Sequence, residues 1–267
     1  MVKGLYTAYT GMKEEQRRLD VLSNNLANAS TNGYKKEVTI NQAFDERLAL
    51  RIKDSGNKDM PARLGGISMG DDVGEVYTDW SQGSFKVTDV KSNLAVAGDG
   101  FFAVSYTNKN TGETSIKYTR DGEFTVDRNG YLRTTDGDYV LNQFGAMNSN
   151  NAAGNYIRID PNTDYTVGYD GTIYQNNQAI GQIGLVDFTD YNYLSKDGDN
   201  YYTLVEGGTL QAADGSIKQG ILETSNVNVV DEMVNMITIQ RAYEAGQKMI
   251  QTEDSTLDKA VNQVGRV

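Results

Sequence analysis

Apolar side chains, with a few polar ones among them, recur at alternating steps of four and three through the last fifth of the chain. They are Val229, Met233, Met236, Gln240, Tyr243, Gln247, Ile250, Asp254, Leu257, Val261 and Val264. That sustained seven-residue repeat predicts a long helix with one seam against other helices. Between Glu223 and Val264 there is no proline, and the one glycine is Gly246. At about 1.5 Å rise per residue such a helix would run roughly 55–60 Å, far beyond an average globular helix. Gln240, Gln247 and Asp254 make the seam partly polar, which lowers stability but fixes register and partner number. A long amphipathic helix packed on its own domain is the alternative. The other end of the chain carries the same pattern. Leu5, Ala8, Met12, Glu15, Leu19, Leu22, Leu26 and Ala29 step by three and four, with Glu14, Glu15, Arg17, Arg18 and Asp20 mostly assigned to the solvated side. The run Asn28-Ala29-Ser30-Thr31-Asn32-Gly33 ends this helix, because Asn and Gly tolerate the left-handed backbone found at helix ends.

Between the helices the period changes. Phe44, Leu48 and Ile52 fit a short helix, residues 54–59 a polar loop, and Gly65–Gly70 a flexible turn, so 34–72 reads as a linker or extended segment. From Val73 the pattern is period two or short apolar runs bounded by turn residues. VGEVYTDWSQGSFKVTD reads as two short strands around Gln82-Gly83, and Asn108–Gly112 as a hairpin turn. Asn129-Gly130, Asp136-Gly137, Asp170-Gly171, Asn176-Asn177, Asp197-Gly198 and Asp214-Gly215 punctuate the rest as a meandering all-β domain. The expected fold is therefore α+β. Residues 1–33 and 222–267 form coiled-coil-like terminal helices packed together as an antiparallel pair, and 73–221 form the central β-domain. Each terminal seam is too narrow and polar for a self-sufficient core, which suits ends that pack against copies of the chain.

Composition narrows the chemistry. The 267 residues hold 36 acidic and 25 basic side chains, a formal charge of -11, with no histidine and no cysteine. That acidity argues against a nucleic-acid partner. Disulfides, thiolate or imidazole metal sites and the usual nucleophile–base pairs are excluded. No cofactor fingerprint is present: Gly98-Asp99-Gly100 lacks the third glycine and following helix of a dinucleotide site, and Asp127–Gly130 lacks the ligand spacing of a calcium loop. No run is apolar enough for a membrane span, and the opening residues lack the apolar core of a secretory signal, so export without a cleaved signal is the expectation. Carboxylate-only hydrolysis needs two facing acids, and nothing in the sequence marks a pair.

The stretch Ser23–Lys35, SNNLANASTNGYK, resembles the amino-terminal signature of the bacterial flagellar axial proteins, the rod, hook and hook-junction subunits. Leu222–Asn228 with Glu232-Met233, Ile237 and Gln240-Arg241-Ala242-Tyr243-Glu244 resembles their carboxy-terminal signature. DGFFAV (Asp99–Val104) and YTRDGEFTVDRNGYLRTTDGDYVL (Tyr118–Leu141) are similar to their central β-domain. The resemblance implies a subunit of the basal-body rod that is exported by the flagellar apparatus and polymerises with itself into a hollow helical tube. Adjacent rod, hook and ring proteins would be its neighbours. In that family the terminal segments are disordered in the exported monomer and become helices lining the axial channel. The implied assembly interface comprises Leu5, Met12, Leu19, Leu22, Asn24, Asn25, Leu26, Asn28, Thr31, Gly33, Tyr34, Asn226, Val227, Met233, Met236, Gln240, Arg241, Tyr243, Ile250 and Leu257. The chain is short for a hook protein with its large outer insertions, and its QRAYE run is similar to the distal rod type; a proximal rod protein stays open. A hook or junction subunit is the alternative in the same class. A secreted adhesin or carbohydrate-binding β-domain on a coiled-coil stalk is the alternative from another, and two complementary terminal helices count against it.

Overall fold

The computed structural model describes residues 2–51, 62–68, 70–109, 112–148, 154–198 and 200–264. The chain divides into two compact units: Met1–Ala27 with Lys36–Asp79 and Val227–Val267, and Asn28–Lys35 with Trp80–Asn226.

The first unit is built on two helices, Val2–Ala27 and Val229–Lys259. The second starts at Asn228, whose side chain accepts from the Val230 N–H, and carries Asp231 and Glu232 in its first turn and Lys259 in its last. These charges complement the helix dipole at both ends. The helices run antiparallel. Gly4 faces Glu253, a β-carbon placed on Gly246 would lie 2.7 Å from Met12 Cγ, and Leu19 shares a groove with Ile239 and Tyr243.

The segment read as a linker or extended segment forms a two-stranded ribbon with the strand read from Val73. Strands β1 (Glu37–Ala43), β2 (Arg47–Arg51), β3 (Ala62–Ile67) and β4 (Asp71–Thr78) pair as β1 with β4 and β2 with β3, both antiparallel. The short helix expected around Phe44 and Leu48 does not form. Val38-Thr39-Ile40 favours extended backbone through its β-branched side chains, and pairing continues through Leu48 in β2. Ile52 and the expected polar loop 54–59 lie outside the described residues, and Gly65–Ile67, expected as turn, belong to β3. A lone two-stranded ribbon is marginal in water. Here β1 and β4 lean on the amino-terminal helix.

The second unit is the strand-rich one. Among the described residues its largest sheet has nine strands, with Phe101–Thr107 at its centre, paired to Thr114–Thr119, Tyr139–Val140 and Leu185–Phe188. Successive residues of a strand point to opposite faces. Phe102 and Val104 accordingly enter one apolar cluster with Leu94, Phe124, Leu132, Ile173 and Ile217, while Phe101 and Ala103 enter another with Tyr118, Val186, Phe188 and Tyr202. The FFAV run is apolar because both faces are covered. The turns at Asn129-Gly130, Asp136-Gly137, Asp170-Gly171, Asn176-Asn177 and Asp197-Gly198 each join strands that pair with one another. Asp214-Gly215 is different: Leu210–Ala212 pairs with Leu185–Phe188, and Ser216–Gln219 with Leu94–Ala97. The strands flanking Gln82-Gly83 likewise take separate partners, β4 pairing with β1 and Phe85–Val87 with Ile221–Glu223.

Candidate assembly surface

In the helical unit the inward side of the carboxy-terminal helix runs through Glu232, Met236, Ile239, Gly246, Ile250, Glu253 and Leu257, all buried or half-buried. Of the expected seam, the line Met236, Ile250 and Leu257 lies here, with Tyr243 at its margin, 40% exposed. Met233, Gln240 and Arg241 are exposed. Gly246 explains the choice of flank, since it brings the backbone close to Met12 where a larger residue would hold the helices apart. Leu5, Met12, Leu19 and Leu26 fall one heptad apart on the amino-terminal helix and are half-buried, as is Leu22. Asn24 is exposed. Asn25 is buried and brackets Glu37, its amide donating to the Glu37 carbonyl at 2.8 Å and its oxygen accepting from the Glu37 N–H at 2.9 Å. The side chain thus extends the strand ladder into the helix end. Burial raises the Glu232 carboxyl above its usual range, opposed by a hydrogen bond from Asn25 and the charge of Lys36.

The other side of the carboxy-terminal helix is apolar and uncovered within the chain. Val230, Met233, Val234, Ile237 and Met249 are each between 50% and 67% exposed. Val230, Val234 and Ile237 stand at i, i+4 and i+7, so they share a stripe. Tyr6 and Tyr9 are similarly exposed on the amino-terminal helix. Such a stripe is the candidate interaction surface of the helical unit.

All but one of the remaining expected residues sit in the β-unit. Asn28 accepts from the Thr31 hydroxyl at 3.2 Å. Gly33 has φ +68 and its α-carbon abuts the Arg120 backbone, so a β-carbon has neither conformation nor room. Its N–H donates to the Glu223 carbonyl at 2.8 Å, and buried Tyr34 accepts from the Asn226 N–H at 3.4 Å. The Asn226 amide donates to Ser81, while Val227, which falls in the helical unit, is half-buried. Beneath these contacts lies a charged cluster that pattern reasoning missed. Lys35, 1% exposed, donates to the Glu223 carboxylate at 2.6 Å and to the Ser81 carbonyl at 2.8 Å. Glu223 also accepts from the Gly83 N–H at 2.9 Å and from Arg120 at 3.5 Å. Lys35 and Glu223 belong to the two family-like signatures at opposite ends of the sequence, and that membership is the signal that was available. Glu14, buried in the helical unit, was missed too, because helical spacing put it on the solvated side.

One acidic recess in the β-unit is too small for a substrate. The pocket around Asp121, Glu123 and Asp136 holds about 10 Å³, space for about one water. Burial pushes the Asp121 carboxyl up to about 6. Among the described residues no group of three or more acidic side chains is arranged to hold a metal ion.

Paired helices from the two chain ends, an uncovered apolar stripe and a strand-rich domain between them in sequence define a class: subunits that present terminal helices for packing. Three family models match along the chain: the flagella basal body rod protein model at residues 5–35, the flagellar hook protein FlgE/F/G D1 domain at 95–175, and the flagellar basal body rod FlgEFG protein C-terminal model at 218–264. The chain belongs to the flagellar basal-body rod protein family. It is 35% identical to the flagellar basal-body rod protein FlgG of Buchnera aphidicola subsp. Schizaphis graminum, with 97% of this chain and 98% of that one aligned. It is 35% identical to FlgG of Bacillus subtilis over 98% of this chain and 99% of the relative. The flagellar basal-body rod protein FlgF of Caulobacter vibrioides is 35% identical over the whole of both chains.

Proposed function

We propose that the chain is a structural subunit of the flagellar rod, of the distal type, which assembles with its own copies into a hollow helical tube that carries torque from motor to hook. It would be passed out by the flagellar export apparatus and meet adjacent rod, hook and ring proteins at the tube's ends and sides. Assembly would be carried by the terminal segments 1–33 and 222–267, packed in coiled-coil fashion between copies. The observation that carries this reading is the apolar stripe Val230, Val234 and Ile237, uncovered on a helix whose opposite side is already taken. Met233, Gln240 and Arg241 flank that stripe and would contact neighbouring copies. Met12, Leu19, Met236 and Ile250 would hold the helix pair that presents it.

The hook or junction subunit is the second reading, favoured by the hook-protein model over residues 95–175. Purified hook–basal bodies separate the two. After the hook is sheared off, antibody to this chain should stain the rod fraction. Staining confined to the hook fraction would favour the second reading, and absence from both would overturn the proposal.

A further inference from the structure

Glu14 lies on the side of the amino-terminal helix that β4 covers, and 3% of it is exposed. Another carboxyl group, Asp71 at the start of β4, lies within side-chain hydrogen-bonding reach of it, next to Asp72, which meets Arg17 of the same helix at 3.0 Å. Two ionised carboxylates are acceptors alone, so this contact is a hydrogen bond when one of them carries a proton. The cations nearby are engaged elsewhere. Asp72 takes Arg17 at 3.0 Å and Lys13 at 3.8 Å, and Glu15 takes Arg18 at 3.1 Å. Among the described residues neither Glu14 nor Asp71 forms an ion pair. Strand β1 brings neutral Ala43 opposite Asp71, and its charged residue Glu37 stands at the far end of the ribbon, opposite Thr78. The carboxy-terminal helix presents Tyr243 and Glu244 to the groove beside Glu15 and Gln16. A further negative charge there would not compensate Glu14.

We propose that Glu14 and Asp71 form a proton-operated latch, which fastens the amino-terminal helix to β4 when the pair shares a proton and loosens it when the proton leaves. Loss of hydration, then the hydrogen bond and charge of Asp71, then the charge of Glu15 raise the Glu14 carboxyl from 4.5 to about 7, with Arg18 opposing. Because the folded value is the higher one, the stabilisation is complete below about 4.5 and disappears as pH rises through about 7. If the helix pair is the assembly surface proposed above, the latch sets the pH range in which the chain is ready to assemble.

The test compares the full-length wild-type chain with Glu14→Gln, whose neutral amide donates to Asp71 at every pH, and with Asp71→Asn. Far-ultraviolet helix signal is followed on the dilute chain from pH 5.5 to 8.5, and pelleting of polymer on the concentrated chain. Wild type should gain helix and pellet more readily as pH falls from about 7 to 5.5, with little change above 7. Glu14→Gln should lose that part of the profile, and Asp71→Asn, which keeps the buried Glu14 carboxyl but removes its acidic neighbour, should move it to lower pH. Glu232, also raised by burial, remains in all three, so the difference between proteins isolates the pair. A wild-type profile that is flat, or that both variants reproduce, overturns the latch. If the helix profile behaves as expected yet no polymer forms at any pH, the latch holds and the rod reading fails; polymer forming identically in all three at every pH overturns the latch alone.

Discussion

At Glu223 three donors converge on one sealed carboxylate: the Lys35 ammonium, the Gly83 N–H and the Arg120 guanidinium. With every partner present, the Glu223 carboxylate is compensated; with it neutralised, Lys35 and Arg120 both lose this buried opposite charge. Glu223→Gln should therefore destabilise the β-unit by about 3–5 kcal/mol in a urea melt, the range for breaking a buried pair. Gly33→Ala should cost about 1–3 kcal/mol in the same melt, through its positive φ and the Arg120 backbone behind it. The sequence showed Gly33 as a stop signal and Lys35 as part of a family-like run, but not their partners. Lys35 and Glu223 are 188 residues apart, and neither periodicity nor propensity carries information over that separation. Glu14 was hidden for the opposite reason: a helix packed on two sides has no single solvated face, so spacing alone mislabels a carboxylate on its second side.

The helices and hairpins show the same division between local and long-range information. Helix extents, the Asn28–Gly33 stop and most Gly-containing turns were legible because they are set within a few residues. The ribbon was legible only in part: the strand read from Val73 is β4, whereas β1 gains strand character by pairing with it across roughly thirty residues of chain. The inward flank of the carboxy-terminal helix was legible to one line of two. Met236, Ile250 and Leu257 satisfy the heptad count in either flank, and what decides is the close approach at Gly246, a residue that propensity treats as a defect. Because the chain has no cysteine, register can be checked cleanly. Met12→Cys with Gly246→Cys should form an intrachain disulfide on mild oxidation, since the Gly246 β-carbon position lies 2.7 Å from Met12 Cγ. Met12→Cys with Lys259→Cys should not. Cross-linking of the second pair in preference to the first would refute the antiparallel register.

For the whole molecule, the β-unit has two apolar clusters of its own, whereas the helical unit rests on one narrow seam with buried carboxyl groups in it. Ordering two helices of 26 and 31 residues costs about 1–2 kcal/mol per residue, more than such a seam returns. The dilute chain should therefore be less helical by circular dichroism than the assembled form, and trypsin should cut at Arg17, Arg18 and Arg241 before assembly and not after. Equal helix content in both states would contradict this. The central claim, that the uncovered side of the carboxy-terminal helix joins copies of the chain in a flagellar rod, is tested most directly in cells. Ile237→Asp puts a charge into the stripe without touching the inward side, and Gln251→Asp puts one at an exposed polar position of the same helix. Buried between copies, the unpaired charge would cost several kcal/mol, about 1–3 at the least, repeated at every subunit. Ile237→Asp cells should fail to swim and yield basal bodies lacking the chain, with the β-unit melting as in wild type, while Gln251→Asp cells swim. Normal swimming of Ile237→Asp cells, with the chain at wild-type level in their basal bodies, would contradict the account.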